Sequence, residues 1–397
     1  MTDPFDVIII GAGPAGLSAG IVLSGHGLRT LVCEKRRFPT DKACGEGVMP
    51  VGMTHLARLG VTQHLREKDV RPFIGIRYHS PSGRTAAATF AEGPGWGIRR
   101  TALSTALLLR AKELDHLEIR EETHAQPLER TADYIATQAG GERVFSRLLI
   151  GADGLNSRVR RWAELEKRTR MLQRWGVRQH YRIAPWSEYV EVHWKDGLEA
   201  YITPCADEQV GVAFLWDRAR YPNVRGGEAL FTSLLRAFPG LQARLDGACP
   251  CDTVRTVGPL HRAASAPVAD GVLLIGDAAG YLDAITGEGI SLATAQALCL
   301  EQTVVPLLQS QNKRETMPKA RELMSYARAY RAIVKPYYQV TQLVLLLSRH
   351  PRLAERIIKA LAQQPDVFQH MLSANMGLTP VWSIGLIQIA RWARGLI

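Results

Sequence analysis

The spacing of apolar positions changes along the chain, and each change marks an element. Val7-Ile8-Ile9-Ile10 is continuously apolar, as a strand buried on both faces requires. It runs into Gly11-Ala-Gly13-Pro-Ala-Gly16, so the pattern predicts strand, tight turn, helix, followed by a second strand, Leu31-Val32-Cys33, ending at Glu34. Two later runs share this character: residues 145–150 enter Gly151-Ala152-Asp153-Gly154, and residues 271–275 enter Gly276-Asp277-Ala278-Ala279-Gly280. Residues 75–78 and 86–90 read as a hairpin turned at Pro81-Ser-Gly83. Residues 117–143 alternate as short strands do. Four β-type runs at 177–183, 189–194, 198–203 and 210–215, with no helical stretch between them, predict an antiparallel sheet in a second domain.

Helical spacing predicts a helix opened by Gly97-Ile98-Arg99-Arg100 with Leu103, Leu107, Leu108 and Leu109 inward, a helix over 228–245, and a long one from Gly287-Glu288-Gly289-Ile290 to Leu308. Beyond 316 the chain reads as helices at 320–334, 337–347, 353–362, 367–374 and 381–396, with a break at Pro336. The last is amphipathic: Gln388, Arg391 and Arg394 form a stripe against Ile384, Leu386, Ile387, Ile389 and Trp392. It suits either a bilayer interface or packing on the body of the protein.

The glycines carry the first chemical signal. Gly11 permits the turn, Gly13 removes the side chain that would bar a pyrophosphate, and Gly16 lets the helix pack on its strand. Phosphates would rest on the helix N-terminus, and Glu34, about 20 residues on, would accept both hydroxyls of a ribose. An acid there argues against a 2′-phosphate. Asp277 brings a carboxylate to the carboxyl edge of the sheet, and the bare backbone of 287–290 favours negative charge. Between these units, Thr40-Asp41-Lys42-Ala43-Cys44-Gly45-Glu46-Gly47 forms a shaped loop whose Cys44 and Glu46 could approach a reacting centre, while Lys35 could lie on an adenine face. Arg99 and Arg100 at a helix start call for an anionic partner, and Asp153 and Ser157 stand where caps or ligand contacts belong. Tyr201 and the residues around Pro204 would wall a pocket against the first domain.

Composition narrows the class. The 397 residues, 46% apolar and 22% charged, suit one large or two medium globular domains. Net charge is +11, but residues 311–397 hold 13 Lys and Arg against 4 acids, so the tail carries +9 of it. Charge confined to a helical tail points to a membrane surface, an acidic partner or a solvated helix face, and not to nucleic acid. No leader and no apolar run of about 18 residues stands out. The six cysteines lack zinc-site spacing, Cys249-Pro250-Cys251 reads as structural, and no metal is expected. The expected location is the cytoplasm, with peripheral attachment to the inner face of the membrane as the alternative.

GAGPAG with Glu34, Arg100 ahead of its helix, GADGLNSRVR and GDAAGYLDAITGEGI together resemble the FAD-dependent monooxygenase and geranylgeranyl reductase superfamily, which shares its fold with aromatic hydroxylases and flavin-dependent halogenases. The resemblance covers residues 5 to about 310. It implies an α/β fold: a glutathione-reductase-type, Rossmann-like FAD domain (1–75, 97–165, 255–310), an inserted antiparallel substrate domain (76–96, 166–254) and a helical C-terminal region (311–397). By the same resemblance Gly11, Gly13 and Gly16 hold the pyrophosphate, Glu34 the ribose of the adenosine, and Ala125 the adenine through its backbone. Arg100 and Asp277 reach the pyrophosphate and ribityl chain, and Gly287, Gly289 and Ile290 cap the flavin ring.

KACGEGVMP and EAYITP lean toward the branch of geranylgeranyl reductases and related secondary-metabolite hydroxylases. Glu46 stands where that loop normally has Gly, Ser104 where an acid is common, and no second dinucleotide unit is visible. The function placed first is hydroxylation of an aromatic or quinol-like lipophilic substrate through a flavin C4a-hydroperoxide, with NAD(P)H docking transiently near Arg158 and Arg160. Glu46 and Cys44 are placed near the flavin and Tyr201 near the substrate. The alternatives are reduction of isoprenoid double bonds with Cys44 beside the reacting carbon, and a maturation flavoprotein that turns nothing over. An NAD-linked dehydrogenase would leave GDAAG and GEGI unexplained. Oligomeric state is left open.

Overall fold

The computed structural model describes residues 4–169, 174–221, 227–310 and 316–380. The helix expected at 381–396 lies outside them.

In chain order come β1 (Phe5–Ile10), α1 (Pro14–Gly25), β2 (Thr30–Cys33), α2 (Pro50–Arg58), β3 (Gly75–His79), β4 (Thr85–Thr89), β5 (Gly95–Ile98) and α3 (Arg100–Lys112). Then follow β6 (Leu117–Arg120), β7 (Ala125–Arg130), β8 (Ile135–Ala139), β9 (Glu142–Gly151) and α4 (Arg158–Trp162). The second sheet adds β10 (Arg174–Arg182), β11 (Tyr189–Lys195), β12 (Leu198–Ala206) and β13 (Gln209–Asp217), then α5 (Glu228–Leu235) and α6 (Pro239–Arg244). The chain closes with β14 (Val272–Leu274), α7 (Gly289–Leu298), α8 (Met324–Ser348), α9 (Pro351–Gln363) and α10 (Pro365–Asn375).

β1 is central in the first sheet because it is apolar on both faces. Its neighbours β9 and β2 run parallel to it, with Val7 opposite Leu148 and Thr30, and β14 and β6 extend the sheet in parallel beyond them. Val7, Ile8 and Ile9 are fully buried, each contributing about 1.5–3 kcal/mol relative to exposure. In the second sheet β10, β13, β12 and β11 are antiparallel neighbours, and β3 joins β11 in parallel with β4 outside it. That sheet reaches Val257 through Arg255–Val257 on β10, three residues past the expected boundary at 254.

Several expectations need correction. α8 runs through Pro336 unbroken. The carbonyl that loses its donor belongs to Ala332, which is exposed and open to water. Tyr326, Tyr330 and Tyr337 along the same helix donate to Leu274 O, Ala279 O and Asp283 O at 2.8, 3.2 and 2.5 Å, so tertiary bonds hold it on both sides of the proline. The helix expected over 228–245 is instead two, because Pro239 opens α6. The one expected to reach Leu308 as a single unit ends at Leu298, with short turns continuing to Gln309. Although no apolar run of that length was expected, the stretch Gly289–Gln309 could cross a bilayer by length and composition, but half of its most apolar window is buried inside the protein and α7 packs on α1 and α2. Leu109 faces solvent, while Leu103 and Leu107 are buried.

Candidate functional site

The three glycines of the first turn meet different surroundings. Gly11 has φ +103°, and a Cβ there would stand 2.5 Å from Ala152 O; a Cβ on Gly16 would stand 1.8 Å from Gly11 O. Both glycines are demanded by the protein's own backbone. At Gly13 a Cβ would meet only Arg100 Nη2, at 3.8 Å, so the space beside it is open to a ligand. α1 starts at Pro14 without a side-chain cap, leaving its first N–H groups directed toward that space. Arg100 opens α3 opposite, 5% exposed, with its Nη1 buried and without a hydrogen-bond partner. A buried, unpaired guanidinium nitrogen beside bare N–H groups fits a pyrophosphate.

Glu34 ends its strand beside this turn and accepts from Ala12 N at 3.0 Å and Arg36 N at 3.1 Å. Its carbonyl accepts from Thr123 N at 2.8 Å, which draws the turn before Ala125 against it. Lys35 is exposed on the same edge. Asp277 lies in the short turn Gly276–Ala278 after β14; burial raises its carboxyl pKa against the lowering charges of Lys42 and Arg100. Gly287 takes φ +75°, and α7 begins at Gly289 with Glu288 as its uncapped first flank.

These groups open onto a cavity of about 270 Å³. Gly13, Arg100, Asp277, Gly287, Gly289 and Ile290 line one end, together with Cys44 and Glu46. Gly11, Gly16, Glu34, Lys35 and Ala125 lie outside its wall, the first two within the turn and the others toward the far end of β2. At the opposite end the wall is apolar: Ile76, Phe90, Val190, Val192 and Leu215 from the second sheet, with Val344, Phe368 and Leu372 from the C-terminal helices. Tyr201 belongs to this end, its hydroxyl donating to Ile285 O at 2.8 Å.

Glu46 has φ +60° and is 2% exposed. Its Oε1 accepts from Arg100 N at 2.7 Å, capping the helix whose two arginines oppose the dipole. Its Oε2 lies 2.5 Å from His180 Nε2 on β10, and Arg99 Nε is 3.5 Å away. His180 Nδ1 reaches Asp252 Oδ2 at 2.7 Å, and Asp252 also pairs with Arg99 and Arg178. Burial alone would raise the Glu46 carboxyl, but the charge and hydrogen bond of His180, then Arg99 and Arg178, hold it below its usual value. His180 moves up, its burial outweighed by Glu46 and Asp252, so both shifts describe one ion pair. Asp252 falls to about 2 against its own burial, through the hydrogen bond and charge of His180 first and Arg178 after. Cys44 Sγ accepts from Glu46 N at 3.4 Å, and burial pushes its thiol up.

Glu288, fully surrounded at the mouth of α7, is the opposite case. Asn375 Nδ2 donates to its Oε1 at 3.2 Å, and the Ser291 hydroxyl lies beside it. Burial pushes its pKa up to about 8, so it holds a proton at neutral pH and faces the cavity. Glu288 and Lys42, another cavity residue, lie within GEGI and KACGEG, where the motif alone gives neither side chain a role. His180 carried no signal, because β10 meets the loop only in three dimensions. Ser157 Oγ accepts from Arg160 N and Asp153 Oδ2 from Arg158 N, so both cap α4. Arg160 is fully buried, donating to Ala278 O at 3.0 Å and Leu155 O at 2.8 Å, and cannot receive a docking nucleotide. Arg158 remains exposed beside His124. Ser104, where an acid was usual, instead anchors the loop, its Oγ accepting from Thr40 N at 3.0 Å.

A family model described as an FAD binding domain matches residues 4–323. Digeranylgeranylglycerophospholipid reductase 2 of Methanococcoides burtonii is 30% identical over 320 residues, covering 73% of this chain and 72% of that protein. Menaquinone reductase of Mycobacterium tuberculosis is 29% identical over 314 residues, covering 72% and 73%. Among solved structures, the flavin-dependent brominase Bmp2 superimposes with a TM-score of 0.81 at 20% identity, over 99% of this chain and 98% of that one. That last likeness is one of fold.

Proposed function

This chain belongs to the FAD binding domain family and is an FAD-dependent oxidoreductase, and from that premise we propose that it reduces a carbon–carbon double bond in a lipophilic, isoprenoid-like substrate. The observation that carries the reading is the junction of the cavity's two ends. A neutral carboxylic acid, Glu288, sits between the glycine-rich flavin cap and an apolar chamber. Alkene reduction needs a hydride at one carbon and a proton at the other; FAD, when bound and reduced, supplies the hydride. Gly13 and Arg100 would hold its pyrophosphate, Glu34 and Asp277 its sugar hydroxyls, and Gly287, Gly289 and Ile290 its ring. Glu288 holds the proton, Asn375 fixes its carboxyl, and the apolar wall excludes water. Cys44, also neutral and on the wall, is the second proton source. Glu46 acts by position, capping α3 so that Arg100 points into the pyrophosphate space.

Two relatives named for reducing a digeranylgeranylglycerophospholipid and menaquinone support the same substrate class. Hydroxylation, placed first by sequence, would use the same cavity, and likeness of fold to a brominase does not choose between the two. The electron donor in this proposal is NAD(P)H or a partner reductase meeting the exposed Arg158 side. A lipid substrate also brings the basic tail to an anionic membrane surface. The test is to reduce the FAD-loaded protein with dithionite without oxygen, add a geranylgeranyl lipid, and weigh the product. Gain of two hydrogens is expected. No gain there, with incorporation of one oxygen atom in the aerobic parallel, would overturn reduction in favour of hydroxylation.

A further inference from the structure

On the reverse face of the sheet that walls the cavity, three side chains converge that the flavin chemistry does not use. β3 and β11 pair in parallel with His79 opposite His193. Glu191 precedes His193 by two positions, so the strand period puts all three on one face. Glu191 Oε1 is 3.7 Å from His79 Nε2, and its Oε2 is 3.5 Å from His193 Nε2. The two imidazoles stack with centroids 4.1 Å apart. Both Nε2 atoms are buried and make no hydrogen bond, and all three ligand atoms lie within 4.8 Å of one another. We propose that His79, Glu191 and His193 form a binding site for a divalent transition-metal ion, with Zn²⁺ the best match to two imidazoles and one carboxylate.

Two buried ring nitrogens that face a carboxylate at 3.5 and 3.7 Å without a hydrogen bond carry a desolvation cost that an ion between them removes. Zn²⁺ takes His nitrogen and carboxylate oxygen at about 2.0–2.2 Å, so the rings must tilt out of their stack and close on the ion. The carboxylate is already oriented: Trp186 Nε1 donates to Oε2 at 3.1 Å and Arg77 Nη1 to Oε1 at 3.4 Å. Arg77 opposes a cation, but it also lies over the Tyr189 ring at 4.5 Å and reaches Ser187 Oγ at 3.5 Å, which would keep it as the ion enters. Arg244, whose charge lowers the His193 pKa, is the other opposing group. The second cluster of this kind, Glu46, His180 and Cys205, is not a rival, since its carboxylate is already taken by His180 and the α3 backbone. An ion at His79 and His193 would clasp the seam where the 76–96 excursion meets β11. Ile76 and Val192, on the other face of those strands, form the cavity wall.

The experiment is calorimetric titration of the chelator-stripped, FAD-loaded full chain with ZnCl₂ alone, paired with thermal unfolding. One equivalent bound and a raised melting temperature are expected. His193→Ala and His79→Ala should each weaken uptake by about 100-fold or more, since even outer-shell losses reach that range. Replacing both Cys249 and Cys251 by Ser should leave uptake intact. No stoichiometric uptake, uptake unchanged in His193→Ala, or uptake lost with the two cysteines would each overturn the proposal. Should the histidine variants fail to fold, X-ray absorption of the zinc-loaded wild type decides: a nitrogen and oxygen shell supports the site, and sulfur in the shell refutes it.

Discussion

Glu46 and Glu288 are both carboxyl groups sealed into the wall of one cavity, and they stand in opposite charge states. Burial raises the pKa of each. Around Glu46, His180, Arg99 and Arg178 reverse that push; around Glu288, Ser291 and Asn375 offer a hydroxyl and an amide but no charge. One region therefore holds a permanent anion that fixes a helix and a loop, and the other holds a transferable proton. Identity and depth are alike, so the neighbours alone assign the role.

The sharpest test of that contrast is Glu288→Gln, which keeps shape and removes the proton. Reduction of the lipid alkene should fall about 10²–10⁴-fold with FAD content unchanged; undiminished turnover would move the proton to Cys44. Glu46→Ala should act on the fold instead. It leaves His180 Nε2 without its buried partner, puts His180, Arg99 and Arg178 on Asp252 alone in that cluster, and uncaps α3, so a urea melt should show a loss of about 3–5 kcal/mol. A shift no larger than a surface substitution's would show that the carboxylate is not the anchor. Arg100→Ala should weaken FAD binding, read by flavin fluorescence, about 10–100-fold, as expected for one charged hydrogen bond of about 1.5–3 kcal/mol, while leaving the melt near wild type.

Per unit of pH the effect is smaller still. Glu288 has a folded value near 8 against its usual 4.5, so between those pH values the folded state keeps a proton that the unfolded state has lost. Stability should therefore fall as pH rises through that window, by at most about 1.4 kcal/mol per pH unit. Asp252, lowered from 3.8 to about 2, has the opposite sign: its contribution is full above 3.8 and lost as pH falls toward 2. Glu288→Gln should flatten the neutral slope and spare the acid limb, and Asp252→Asn should do the reverse. Identical profiles for the two variants would break the comparison.

What could be read from the chain alone follows the range of the physics. Gly11, Gly13 and Gly16 were legible because three nearby positions specify one turn, and Glu34 because a strand end lies at a set distance from it. β11 was legible as a run of β-type residues between its two neighbours. The partner of Glu46 was not, since His180 stands 134 positions away and no local pattern couples them. Pro336 and Pro239 show the limit from the other side. The same local rule fails where Tyr330 and Tyr337 pin α8, and works where α6 needs a start. Arg160 read as a surface cation because charge usually is, but its guanidinium spends its donors on buried carbonyls.

The parallel pairing of β3 with β11 also orders events at the ribosome. The hairpin of β3 and β4 is complete by Thr89, yet the inner edge of β3 has no partner until Tyr189 to His193 emerge. At roughly 5–20 residues per second that is a wait of roughly 5–20 s. Throughout it an open strand edge, with Ile76 and Tyr78 uncovered beside it, is available to any other nascent chain. The helices that later shield β4, α9 and α10, come last among the described elements. Slowing translation between codons 90 and 188 should therefore raise aggregation of this protein during synthesis more than the same delay placed after codon 217, where the sheet already has its full set of long strands.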